Sequence, residues 1–319
     1  MPDLKTRILF GTNQEFGTPL CISFKSALQY GYDGVDLTQG KRERPIGIIM
    51  SENKRQRDSV FLQIQIIPKV KVNDIITSIL ESTGWMYGRS SNDVRHKHEY
   101  LDCVLLQWPG PFRKWTEFPI LGKRKRNIDF INGRPSRNEK IKKFSRFKSG
   151  VLRMRKYKQL QRARDLGLCK RIGLSNASLR QIRQILDAGF VIDVIQNEYH
   201  IYLQNESVRI FCVDNGIEFQ AHSMFIGGND EVIAQIASEN AESPHTTIMR
   251  WFASKRITVV PGSSDMKHIL QNIRTFRNDD PLSLDQLRRI RVLDRSLDRR
   301  GDQRTTLCTH VKEFDSNEY

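Results

Sequence analysis

No stretch of this 319-residue chain is apolar over the roughly 18 positions that a membrane-spanning helix needs. The opening MPDLKTRILFGT is too short and strand-like for a typical transit peptide, although one already removed would leave no trace, and its pattern is not that expected of a signal peptide. Cysteine is sparse: Cys21, Cys103, Cys169, Cys212 and Cys308 are scattered and never form a CxxC pair. That excludes a disulfide framework and points to an intracellular, reducing compartment, cytoplasmic or mitochondrial. Metal-ligand spacing is also missing. His96 and His98 stand two apart, which does not share a helix face, and His245 has no partner at ligand spacing, so no metal is expected. No glycine-rich turn follows the first expected strand, which disfavours an open, doubly wound nucleotide-binding sheet.

What is present is a regular alternation. With 38% hydrophobic and 28% charged residues, the chain has the composition of a folded protein. Short apolar or β-branched runs read as strands at 8–12, 34–37, 59–67, 101–108, 170–175, 190–196, 217–223 and 257–262. Helical spacing follows most of them, as in VNDIITSILESTG and SLRQIRQILDA. Eight such units define an α/β fold, a (β/α)8 TIM barrel, with residues 1–319 forming a single barrel. In such a barrel the residues at the strands' C-terminal ends line the functional mouth. Those are Asp36, Gln65, Gln107, Ser175, Asn176, Gln196, His222, Ser223 and Ser263.

Several of these stretches resemble one family in order and spacing. "YGYDGVDL", "DSVFLQIQIIP" and "YLDCVLLQWPG" are similar to the second, third and fourth strand regions of the aldo-keto reductases. "KRIGLSNASLRQIRQIL", "VIQNEYHIYLQN", "GIEFQAHSMFIGG" and "TIMRWFASKRITVVPGSSDMKHILQNI" resemble the later units. The resemblance implies carbonyl reduction with NADPH by an Asp, a proton-donating Tyr, a Lys that lowers the Tyr pKa and a His that orients the substrate oxygen. Asp36 matches the Asp. No tyrosine follows it in DLTQGKRERP, Gln65 stands at the Lys position and Gln107 at the His position. Glutamine carries neither charge nor a titratable proton near neutral pH. Lys41 is a candidate substitute acid; the plainer reading is that Gln65 and Gln107 bond each other or water.

For the cofactor, Ser175, Asn176 and Gln196 match contacts to the carboxamide, and His222 stands where an aromatic ring stacks on the nicotinamide. Ser223, Ser263 and Asn272 match residues near the phosphates and adenine. Gly262 and His268 replace the basic grip on the 2′-phosphate. The expectation is that no cofactor is required and that NADPH binds weakly, because charge-assisted bonds to phosphate are the strong ones. Asn176 also suits a helix N-cap.

Charge is concentrated. Net charge is +16, and from Arg113 to Lys158 there are 17 Lys or Arg against three acids. This basic insertion, 111–150, carries Trp115, Lys123, Arg124, Lys125, Arg126, Arg137, Lys142, Lys143, Arg146 and Lys148. It shows little periodicity and is expected to be extended without a partner. Cations with interleaved aromatics suit RNA, where phosphate contacts supply affinity and rings stack on unpaired bases. A solvated loop, an import address in KRKR and an acidic membrane surface are the competing readings. Residues 295–319 read as a charged C-terminal tail. The sequence favours a barrel that has lost turnover and become a binding or scaffold protein, docked on RNA in a ribonucleoprotein such as an organellar ribosome. The alternative is a divergent NADPH-dependent carbonyl oxidoreductase with a rearranged proton donor.

Overall fold

A computed structural model describes residues 6–12, 17–39, 43–52, 57–66, 74–87, 99–107, 139–278 and 280–296. The strands are β1 (Leu9–Gly11), β2 (Gly34–Thr38), β3 (Phe61–Ile66), β4 (Leu101–Gln107), β5 (Cys169–Ser175), β6 (Val194–Glu198), β7 (Glu218–His222) and β8 (Thr258–Val259). All eight are parallel and pair in sequence order. The ring closes through the Ile8–Val259 bridge and the bond from Gly11 N to Pro261 O at 3.0 Å. This is the (β/α)8 barrel that the alternation implies.

The helices are α1 (Gly17–Tyr30), α2 (Glu43–Glu52), α3 (Asp74–Tyr87), α4 (Glu139–Asp165), α5 (Leu179–Asp187), α6 (Glu206–Asp214), α7 (Glu231–Glu239), α8 (Pro244–Lys255), α9 (Met266–Arg277) and α10 (Leu284–Arg291). The main core lies between strands and helices, where Val35, Ile64, Val104 and Ile172 face Phe24, Ile79, Tyr157 and Ile182. A separate small cluster, Cys103, Leu105 and Val194 against Phe61, fills part of the barrel's interior. Apolar side chains normally fill such an interior in layers. Here most of the remainder is polar.

Two helices depart from the sequence reading, and two strands are shifted or shortened: the one read at 190–196 is Val194–Glu198, and the one read at 257–262 is Thr258–Val259. The helix expected from Tyr157 begins at Glu139, so the last part of segment 111–150 is helical rather than extended. Its second half docks on the barrel through buried Tyr157, Leu160 and Ala163. Trp115, Lys123, Arg124, Lys125, Arg126 and Arg137 lie outside the described residues, as do the side chains of Lys142, Lys143, Arg146 and Lys148. So does the tail from residue 297.

The other departing helix is α2, absent from the sequence reading because Pro45 and Gly47 punctuate it. Pro45 sits in the first turn, where backbone N–H groups have no intrahelical partner anyway. Gly47 is there because α2 crosses the end of α3 at close range: a Cβ on it would stand 1.7 Å from the Met86 carbonyl oxygen. Gly47→Ala would gain about 1 kcal/mol of helix propensity. The overlap outweighs that gain, and a net loss of about 1–3 kcal/mol is expected. Thermal unfolding checks this: the variant should melt several degrees below wild type.

Candidate active site

Strand register gathers the mouth. Thr38 pairs with Gln65, Gln107 with Ser175, Ser175 with Gln196, and Glu198 with His222. Asp36 lies two residues before the end of β2 and is 4% exposed; Gln65 is 3% exposed and Gln196 fully buried. Asp36 Oδ2 accepts from Gln65 Nε2 at 2.7 Å, and Oδ1 accepts from Gln63 Nε2 at 2.8 Å. Gln65 Nε2 also donates to Gln196 Oε1 at 2.8 Å. The expected Gln65–Gln107 pairing is therefore replaced by bonds to Asp36 and Gln196. Lys41 lies outside the described residues.

The network continues down the barrel. Gln63 Nε2 donates to Gln220 Oε1 at 2.7 Å, and Gln220 Nε2 returns a bond to Gln63 Oε1 at 3.0 Å. Gln196 Nε2 donates to the same Gln220 Oε1 at 3.1 Å. Gln220 Nε2 also donates to Glu218 Oε1 at 3.0 Å, which takes a second bond from Thr258 Oγ1 at 2.8 Å. Glu218 Oε2 is held by the Arg7 guanidinium at 3.0 Å and by Arg171. A column of amides thus joins a carboxylate at the mouth to an ion cluster deeper in the barrel.

The two ends titrate oppositely. Burial pushes the Asp36 carboxyl up to about 6, with Gln63, Gln65 and Gln196 partly offsetting it. Burial also acts on Glu218, but Arg171 and Arg7 outweigh it and leave that carboxyl below its ordinary value. Among the described residues no cation pairs with Asp36, because the position that the resemblance gives to lysine holds Gln65.

At the other side of the mouth, Asn176 and Ser223 adopt left-handed backbone, φ 61° and 59°. Asn176 is not the helix cap expected of it. Ser178 caps α5 in a reciprocal box with Gln181. Asn176 Oδ1 instead bonds His222 Nε2 at 2.7 Å, and His222 Nδ1 meets Ser223 Oγ at 2.9 Å. Ser175 Oγ is buried with no hydrogen-bond partner among the described residues. An unpaired hydroxyl next to Asn176 suits an amide-bearing ring such as nicotinamide, since an orphan polar atom is costly unless a ligand satisfies it.

The adenosine end fits a dinucleotide less well. Asn272 is 1% exposed, and its Oδ1 meets His245 Nε2 at 2.6 Å. The His245 ring stacks between Phe225, 3.8 Å away, and His268, 5.5 Å away. The N-terminus of α9, a natural phosphate seat, is capped by the protein's own Asp265, whose carboxylate accepts from Lys267 N at 2.7 Å. Ser263 Oγ accepts from Asp265 N at 3.1 Å within the same turn. Sequence reading missed Gln63, Gln220, Glu218, Arg7 and Arg171. The signal was there in the period-2 pairs Gln63/Gln65 and Glu218/Gln220, polar residues alternating through otherwise apolar strands.

Serine, asparagine, glutamine and histidine thus stand side by side at the mouth of a parallel barrel. The family model described as "Aldo/keto reductase family" matches residues 23–295, and the chain belongs to that family. It is similar to methylglyoxal reductase DkgB of Yersinia pestis, 24% identical over 79% of each chain. It is also similar to glyoxal reductase of Bacillus subtilis, 26% identical over 88% of this chain and 86% of that one. Among solved structures, an aldo-keto reductase from a Medee basin deep-sea metagenome library superposes with a TM-score of 0.68 at 20% identity, over 98% and 95% of the two chains. A complex of a Gox0644 point mutant with NADPH gives 0.67 at 20% identity, over 93% and 92%. At such identities these two structures speak for the fold.

Burial lowers the His222 pKa to about 4, with Glu198 opposing and His200 adding. Between about 4 and the ordinary 6.5, the unfolded chain binds a proton that the folded chain refuses. Stability from this group is therefore full above pH 6.5 and lost as pH falls toward 4. The ring is only half-buried, so about 1–2 kcal/mol is the appropriate size. His222→Gln should flatten the decline, as urea unfolding at pH 4, 5.5 and 7 would reveal.

Proposed function

We propose that the chain is a divergent NADPH-dependent carbonyl oxidoreductase acting on small aldehydes or the matching alcohols. Family membership supports this, as do the activities for which its relatives are named, methylglyoxal and glyoxal reduction. The observation that carries it is the unpaired, buried Ser175 Oγ beside Asn176 at the mouth. When bound, NADPH supplies a hydride to the carbonyl carbon. Ser175, Asn176 and Gln196 would hold the carboxamide, and His222 would lie against the ring. The Asp36 carboxyl, raised to about 6, is the group that can release a proton toward a reduced carbonyl oxygen. It lacks the usual tyrosine and lysine, so turnover is expected to be on the order of 10²-fold below that of a fully equipped site.

The test is NADPH fluorescence titration with an aldehyde-reduction assay. Binding and slow turnover are expected. The rate should fall as pH rises through about 6, because the acid form is the donor, and Asp36→Asn should abolish it. Absence of NADPH binding would reject the proposal.

A second reading is favoured by one observation: Gln65 ties up Asp36 where a lysine would activate a proton donor. On that reading the barrel binds without turnover and its basic segment docks on RNA. Deleting residues 113–149 should then abolish salt-sensitive RNA retention while the circular dichroism of the barrel persists. Equal retention by the deleted protein would reject it.

A further inference from the structure

The glutamine column has a direction, and chemistry fixes it. An ionised carboxylate only accepts hydrogen bonds, so Gln220 must turn its amide nitrogen toward Glu218. The second hydrogen of that nitrogen goes to Gln63 Oε1, leaving Gln220 Oε1 to accept from both Gln63 and Gln196. Gln63 therefore points its nitrogen at Gln220 and at Asp36. Gln196, with its nitrogen on Gln220, presents its oxygen to Gln65. Gln65 must answer with its nitrogen, whose other hydrogen goes to Asp36. Both hydrogens of Gln65 are then spent, and within the column its Oε1 is left as an acceptor with no bond to the other side chains.

We propose that Glu218 and Gln220 are positioning residues that turn Gln63 and Gln65 donor-first onto Asp36, so that Gln65 offers a ligand only an acceptor. The mouth then recognises a hydroxyl or amide N–H at that point rather than a bare carbonyl oxygen. This is the reverse of the cationic donor that the resemblance places at Gln65. Its consequence for ligands rests on the reductase reading; the column itself does not. No charged side chain among the described residues touches Asp36: Arg7, Arg171 and Glu218 reach it only through the amides, and His222 is bonded to Asn176 and Ser223.

The column is tested by following the Asp36 carboxyl with ¹³C-labelled aspartate in NMR across pH, the signal assigned from Asp36→Asn. Gln220→Met keeps side-chain volume and leaves Arg7, Arg171 and Thr258 on Glu218. It frees Gln63 and Gln196 to reorient, so the Asp36 midpoint should rise by about half a unit or more, because hydrogen bonds to the charged form are lost. Gln220→Asn, shorter but polar, should shift it the same way and serves if the Met variant does not fold. Ile172→Val, a core change away from the column, should not move it. An Asp36 titration unchanged in the column variants would overturn the proposal.

For the ligand consequence, benzyl alcohol and benzaldehyde are compared by saturation-transfer NMR on the full chain. Several-fold preference for the alcohol is expected in wild type and should shrink in Gln220→Met. Equal or tighter binding of the aldehyde, or binding of neither, would overturn it. NADPH fluorescence on the same samples keeps the two failures apart: a shifted Asp36 with no NADPH binding sinks the reductase reading alone.

Discussion

A carboxylate cannot donate a hydrogen bond, and the interior of this barrel is arranged around that restriction. Glu218 and Asp36 are both buried and are joined by four glutamines whose amides have no freedom left to turn. Glu218 keeps its charge because Arg7 and Arg171 stand against it. Asp36 has only amide N–H groups, which stabilise its anion less than a cation would. The same column therefore leaves one carboxyl firmly ionised and the other titrating near neutrality.

Such a core forgoes apolar packing. Buried polar groups are tolerated where every donor and acceptor is met, and a half-met network is worse than an apolar interior. The network here is nearly complete, the orphan Ser175 hydroxyl at the mouth being a notable exception. Satisfied polar networks favour one arrangement over near alternatives more than they add stability. The small apolar cluster of Cys103, Leu105, Val194 and Phe61 shares the interior, and the Arg7 guanidinium lies 4.5 Å from the centre of the Phe61 ring.

Much of this was legible in the sequence for local reasons. Eight apolar runs separated by helical spacing give the barrel, because strand and helix periods are properties of neighbouring residues. Asp36, Gln65 and Gln107 could be placed because the ends of barrel strands converge. The α2 helix was hidden by Pro45 and Gly47, one harmless in a first turn and the other explained only by contact with Met86, about forty residues on. The column was hidden because Gln63, Gln196, Glu218 and Gln220 come from three strands, β3, β6 and β7, and meet only once the barrel has brought these together. The cap that Asp265 places on the α9 N-terminus, close to Ser263, was not singled out in the sequence. The stacking of His245 between Phe225 and His268 was likewise beyond local inspection.

The seam of the barrel is thin. β8 contributes two residues, and β1 meets it through a single bridge and a few backbone bonds. Arg7, beside that bridge, reaches across to Glu218 on β7, and Thr258 of β8 bonds the same carboxylate. Whatever parts the first strand from the last also strips Glu218 of a counter-ion and unfastens the amide ladder above it. Ring closure and the chemical character of the opening are thereby one cooperative event, so a strand that fluctuates at the edge would be felt at the mouth as a change of hydrogen-bond sign.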